Sequence, residues 1–397
     1  MGSNWTFSTR FQHNLLKFAP SVILTFMLAY FFCFILGSVL GLFASEFTDR
    51  WGCSQRYRSP KPKKIFITLM SGIAAACLYW WEVEMKMLAP YPVESSSYYA
   101  LCASEIWFFH VILFTFLLAA TLTDFYEMII PDTITVVGTM FALFCALFIW
   151  VALPVTQLSW TSDSLFPVFV EAWGVHLWSP LPADIGTPSL LIMTLLWWFW
   201  CFAMLDRVWY TKLPFRKANA IFWRYLYRSP RTKYYVAVAL IAPVCFTFVI
   251  GSGSAIYLLS ALVGMAAGMI LVWSVRLVAQ WVLGVEAMGF GDVTLMGMIG
   301  AFLGWQAVLL IFFIAPFFGL VYGIVHAALG KGRAVPYGPF LCLATVVVVV
   351  AWSPIWAATA EYFAFGIGTI GLVLLVLLVL FAGLLHIVHK IMSGLRR

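Results

Sequence analysis

Charge is scarce in this sequence. Only 10% of its 397 residues are Asp, Glu, Lys or Arg, against about 25% in soluble domains, and 63% are hydrophobic. No polar stretch is long enough to build a sizeable soluble domain. There is no C-x-x-C pair among the eight cysteines, which lie mostly inside apolar runs. That excludes a zinc knuckle and a disulfide framework and leaves them as small hydrophobes. No internal repeat or low-complexity tract is present. The first apolar run, about 18–43, is too long for the core of a cleaved signal peptide and has no small-residue cleavage site after it, so a retained helix is expected.

What the sequence has instead is a series of apolar runs of about 20 residues, the signature of an all-α polytopic membrane bundle. The expected spans are 18–43, 65–83, 103–123, 133–153, 189–206, 234–250, 254–284, 293–329, 339–360 and 364–388, about nine or ten crossings. The region 293–329 is long enough for two short helices turning near Gly304-Trp305.

The net charge of +7 comes from cations gathered between these runs, so no nucleic-acid partner is expected. One group is Arg50, Arg56, Arg58, Lys61, Lys63 and Lys64. A second is Arg207, Lys212, Arg216, Lys217, Arg224, Arg228, Arg231 and Lys233. Lys331 and Arg333, then Lys390, Arg396 and Arg397, complete the set. The positive-inside rule makes these loops cytoplasmic, with the N-terminus outside and the C-terminus inside. Residues 154–188 hold Asp163, Glu171 and Asp184 without a cation and fall outside, where Trp160, Trp173 and Trp178 suit an interface.

Within this pattern Gly289-Phe290-Gly291-Asp292 places a carboxylate at the edge of an apolar run. An ionisable group beside hydrocarbon is a functional-site hypothesis by default. Asp292 also has a purely structural reading, as the N-cap of the following helix. Asp124 ends the third span, where a carboxylate opposes the helix dipole and gains nothing locally. Asp132, after Pro131, reads as the cap of the fourth span. The topology sets Asp124 and Asp292 at the same membrane face and similar depth, so they can act as one site. Paired carboxylates are the equipment of acid–base peptide hydrolysis. Arg276 reads as a structural partner for a buried acid. His110, His326, His386 and His389 are not at metal-ligand spacing with a carboxylate, and no metal site is expected.

Three segments, in order, resemble the type IV prepilin peptidases, the membrane aspartic peptidases with a G-x-G-D motif. Asp124 with Ile130-Pro131-Asp132 is similar to the family's first-aspartate motif, Gly289–Asp292 to its second, and Pro336-Tyr337-Gly338-Pro339-Phe340-Leu341 to its P-F-G-P-F-L segment. The resemblance implies that Asp124 and Asp292 are the catalytic pair. Gly289, Gly291, Pro131, Asp132, Pro336, Gly338 and Pro339 would support the site or bind substrate. It implies removal of the basic leader from prepilins or pseudopilins at the cytoplasmic face of a bacterial inner membrane. The partners would be that substrate and the bilayer.

The N-terminal part departs from the family. Gly37-Ser38-Val39-Leu40-Gly41 has Gly41 where Asn is usual, and the first basic loop has only Cys53 where four cysteines often bind zinc. Neither zinc nor S-adenosylmethionine is therefore expected, and N-methylation is in doubt. The expected organisation is 1–102 as a divergent N-terminal part, 103–153 as the first peptidase segment, 154–250 as an insertion, and 251–397 as the second. The alternative from another class is a proton- or cation-coupled transporter, which would need broken helices and repeated halves.

Overall fold

A computed structural model describes residues 20–49, 61–85, 87, 97–147, 187–205, 215–249, 254–284, 288–329, 336–363 and 366–395. Every regular element among them is helical. The α-helices are α1 Pro20–Phe47, α2 Lys61–Tyr79, α3 Ser97–Glu127, α4 Asp132–Cys145, α5 Thr187–Ala203 and α6 Phe215–Arg228. They continue with α7 Pro230–Val249, α8 Ser254–Leu283, α9 Phe290–Ala328, α10 Gly338–Val350, α11 Trp352–Phe363 and α12 Gly366–Leu395. A π-helical turn, Trp80–Glu84, extends α2. The outer-loop tryptophans, the first basic loop up to Pro60, Lys331 and Arg333 lie outside the described residues.

Seven of the described helices are long and apolar enough to cross a membrane, or eight if α10 and α11 count as one bent span. The chain is thus a multi-pass helical membrane protein. The expected nine or ten crossings differ from this number for physical reasons. α4 and the apolar part of α5 are shorter than a full crossing, and α9 counts once although it is two helices in effect.

The span Phe290–His326 would measure about 55 Å if straight, far more than the ~30 Å of hydrocarbon. It breaks at Gly304, whose φ of 82° and ψ of 175° lie in a region open to glycine. The chain turns back there. Asp292 at its start and Tyr322 near its end both lie beside the start of α10, where the Tyr322 and Phe340 rings meet at a tilt with centroids 5.4 Å apart. The turn expected at Gly304-Trp305 is therefore present.

The single helix expected over 339–360 is instead α10 and α11, bent by 84°. Pro354 explains the bend. It has no N–H to donate to the Val350 carbonyl, and its ring crowds that oxygen. The Trp81 indole N–H takes the carbonyl instead, at 2.8 Å. A second correction concerns the basic loop 207–233, which contains the helix α6.

α8 and α9 make the most extensive contact, with Gly264 against Gly300 and Gly268 against Met296, a small-residue seam of the kind that joins membrane helices. α4 and α10 pack on α9, and α3 on α10. α1 and α2 form a hairpin joined to α3 through Cys33, Ala75, Leu78, Trp107 and Val111. Deep in this joint His110 Nδ1 lies 2.7 Å from Glu82 Oε1, so one ring nitrogen of His110 is paired with a carboxylate. Lys63 lies 5.6 Å from the Tyr126 ring and Arg231 pairs with Asp132, which sets both basic segments at the end of the bundle that holds Asp124.

Candidate active site

The α3–α4 turn organises the site. α3 runs to Glu127 and ends with Met128 in the left-handed region, φ 55°, its N–H bonded to the Asp124 carbonyl at 2.9 Å. This is the C-terminal cap that glycine usually supplies. Ile130 follows, buried, and Pro131 then starts α4 from an extended conformation, φ −66° and ψ 137°.

Two glycines close on Ile130 from opposite segments. A Cβ on Gly291 would come within 2.9 Å of Ile130 Cβ and 3.1 Å of its carbonyl oxygen. A Cβ on Gly338 would come within 2.8 Å of Ile130 Cδ1 and 2.6 Å of Asp124 Oδ2. The three motif segments therefore meet at one residue, and only hydrogen at positions 291 and 338 lets them approach so closely.

That approach gathers the carboxylates. Asp124 is 5% exposed and Asp292 is 7% exposed, and they lie within electrostatic reach of each other. Asp124 Oδ2 accepts the Gly338 N–H at 3.0 Å. Gly338 opens α10 and is followed by Pro339, and no side chain of α10's own caps that end. Asp124 thus caps a helix from across the fold, and the favourable dipole of α10 offsets the unfavourable one of α3. Asp292 is the third residue of α9, and its carboxylate reaches back to the backbone of Gly289, as in a capping box. Its N-terminal position is also favoured by the α9 dipole.

Arg276 of α8, 8% exposed, donates Nε–H to the Met288 carbonyl at 2.9 Å, lies 5.8 Å from the Phe290 ring and is within electrostatic reach of Asp292. The sequence suggested a structural partner for a buried acid; the hydrogen bond goes to backbone, and Asp292 is the acid within electrostatic reach. Tyr337, half-buried ahead of α10, has its hydroxyl pKa raised by burial and then by Asp292 nearby. It therefore stays a neutral donor.

The other expected site residues divide. Pro339 is buried in the first turn of α10 and Pro336 is half-buried before it. Gly289 is exposed, with nothing nearer than 3.6 Å to a Cβ added there. Asp132 does not cap α4: Pro131 occupies the cap position, Asp132 is the first helical residue, and its carboxylate pairs with Arg231 on the exposed side. Ile130 and Tyr337 were not singled out in the sequence. A lone Ile carries no chemical signal, and Tyr337 stood in the third motif segment without a role of its own.

Residues 232–324 match the Type IV leader peptidase family. The match takes in Gly289–Asp292, while Asp124 and Pro336–Leu341 lie outside it. The chain is also similar to the Prepilin leader peptidase/N-methyltransferase of Aeromonas salmonicida, 33% identical over 87 residues, which is 21% of this chain and 30% of that protein. Against the protein of that name from Stutzerimonas stutzeri it is 36% identical over 108 residues, 26% and 36% of the two chains. Against that of Pseudomonas aeruginosa it is 36% identical over 87 residues, 21% and 30%. The chain spans about a third of the length of these relatives. No solved structure matches. The resemblance carried by the motifs is thus borne out by both sequence comparisons.

Proposed function

We propose that this protein is a membrane aspartic endopeptidase that removes the basic leader from prepilins or pseudopilins, with Asp124 and Asp292 as its catalytic pair. The observation that carries the reading is the meeting of the three motif segments at Ile130, with the buried carboxylates of Asp124 and Asp292 within electrostatic reach of each other. One carboxylate takes a proton from a water as it attacks the scissile carbonyl. The other, holding a proton, gives it to the departing amine. Burial favours a shared proton between neighbouring carboxylates over two full charges. The basic segments at this end of the bundle support a cytoplasmic face by the positive-inside rule, and the prepilin-processing reading goes with a bacterial inner membrane.

The peptidase step in this reading takes no metal and no S-adenosylmethionine. Gly41 packs on Ser71 of α2 without room for a side chain, so the Asn usual there does not fit. The break at Gly304 is the feature a coupled transporter would need, but it lies at the turn of α9, away from both carboxylates.

The test is leader removal from a prepilin by the purified chain in detergent. Asp124→Asn and Asp292→Asn are each expected to abolish it. Continued cleavage by either folded variant sinks the assignment. Substrate-dependent proton flux in proteoliposomes, without cleavage, would favour the transporter.

A further inference from the structure

The basic segment before α7 is a helix with a charged face. α6 contains Arg216, Lys217, Arg224 and Arg228 and no acidic residue. Positions 217, 224 and 228 are seven and eleven residues apart from the first, so they fall within about 40° of each other around the helix. Lys217, Arg224 and Arg228 are all exposed. The sequence repeats Phe215, Phe222 and Leu226 at the same spacing, about 160° further round.

Its place in the fold gives this face a meaning. Only Ser229 separates α6 from α7, a helix apolar enough to cross a membrane, so α6 stands where the bilayer ends. A basic amphipathic helix at that level lies in the interface with its cations among the headgroups. Arg231, in the first turn of α7, pairs with Asp132, two residues from Ile130. α6 is therefore at the same end of the bundle as Asp124 and Asp292.

We propose that α6 binds anionic lipid headgroups through Lys217, Arg224 and Arg228, and that Arg231–Asp132 ties it to the α3–α4 turn. The helix thereby sets the depth at which the carboxylate site meets the membrane surface. Charge chooses the occupant. A cationic face without acids attracts anionic phosphate headgroups and repels a basic peptide leader. The inference does not depend on the chain being a peptidase.

The test titrates short-chain phosphatidylglycerol into the full chain in neutral detergent at low salt, with short-chain phosphatidylcholine and inorganic phosphate in parallel, following binding by calorimetry. Saturable binding of phosphatidylglycerol alone is expected, weakening as salt is raised. Each of K217Q, R224Q and R228Q should weaken it about fivefold, and K217R should not. Equal affinity for the two lipids, no response to salt, or unchanged affinity in the single Gln variants overturns the proposal. Inorganic phosphate binding as tightly as the lipid would make this a phosphate site and overturn the lipid assignment. No substrate is present, so the outcome is independent of leader cleavage.

Discussion

Asp124, in the last turn of α3, accepts the backbone N–H of Gly338, the first residue of α10, at 3.0 Å. One carboxylate thus both holds a helix in place and faces its proposed catalytic partner. The two roles separate by substitution. Asp124→Asn keeps an oxygen for Gly338 and is expected to leave stability within about 0.5 kcal/mol of the wild type while abolishing leader cleavage. Asp124→Ala removes the acceptor as well and should cost about 1 kcal/mol more, the usual value of a lost cap. Thermal unfolding in detergent beside a cleavage assay distinguishes them; equal stability of the two variants would refute the capping role.

The glycines of the G-x-G-D motif have different jobs. Gly291 is pressed on Ile130, whereas a Cβ at Gly289 would make only ordinary contacts, none nearer than 3.6 Å. Gly291→Ala is expected to push α9 from the α3–α4 turn and reduce cleavage about a hundredfold, since a shift of about 1 Å can cost that much. Gly289→Ala should stay within about tenfold of wild type. Rates measured on the two folded variants check this, and the reverse order would count against the packing argument.

These assignments show what was legible in the sequence. The apolar runs gave the helices, and the chemistry of Asp124 and Asp292 stood out because charge is rare beside hydrocarbon. The turn at Gly304 was readable from length alone. The bend at Ala351 was missed although Pro354 marks it, because the apolar pattern runs through unbroken. Asp132 was misjudged because an Asp after Pro has a ready local reading, while its partner Arg231 is distant in sequence. Ile130, the meeting point of the three segments, carries no signal until the neighbouring glycines are placed around it.

Tyr337 gives a pH dependence. Its raised pKa, from burial first and Asp292 second, means that the folded protein holds this proton at pH values where the unfolded chain has released it. Its contribution is complete below the unfolded value of about 10 and is lost as pH rises above it towards the folded value. Tyr337→Phe removes the titrating group. Wild-type stability should therefore fall more steeply than the variant's above about pH 10, while the two curves run parallel below. Denaturation midpoints across that range decide the matter, and coincident curves would remove Tyr337 from the account.

The hydrogen bond between His110 and Glu82 joins the α1–α2 hairpin to α3, the helix that carries Asp124, and both side chains are almost completely buried. Removing either partner strands the other away from water, at a cost of about 1–3 kcal/mol. Glu82→Ala and His110→Ala should each destabilise by that amount. The double variant should cost less than their sum, because the second substitution removes a group already unpaired. Pro354 supports the same joint, since the carbonyl it frees holds Trp81, the residue beside Glu82. Pro354→Ala would restore an N–H for Val350 and set it in competition with the Trp81 indole. Unfolding of the four variants in one detergent gives the coupling. Additive costs for Glu82 and His110 would mean that the pair contributes nothing as a pair, leaving packing and the Trp107 Nε1–H bond to the Ala75 carbonyl, 3.0 Å, to hold the hairpin to α3.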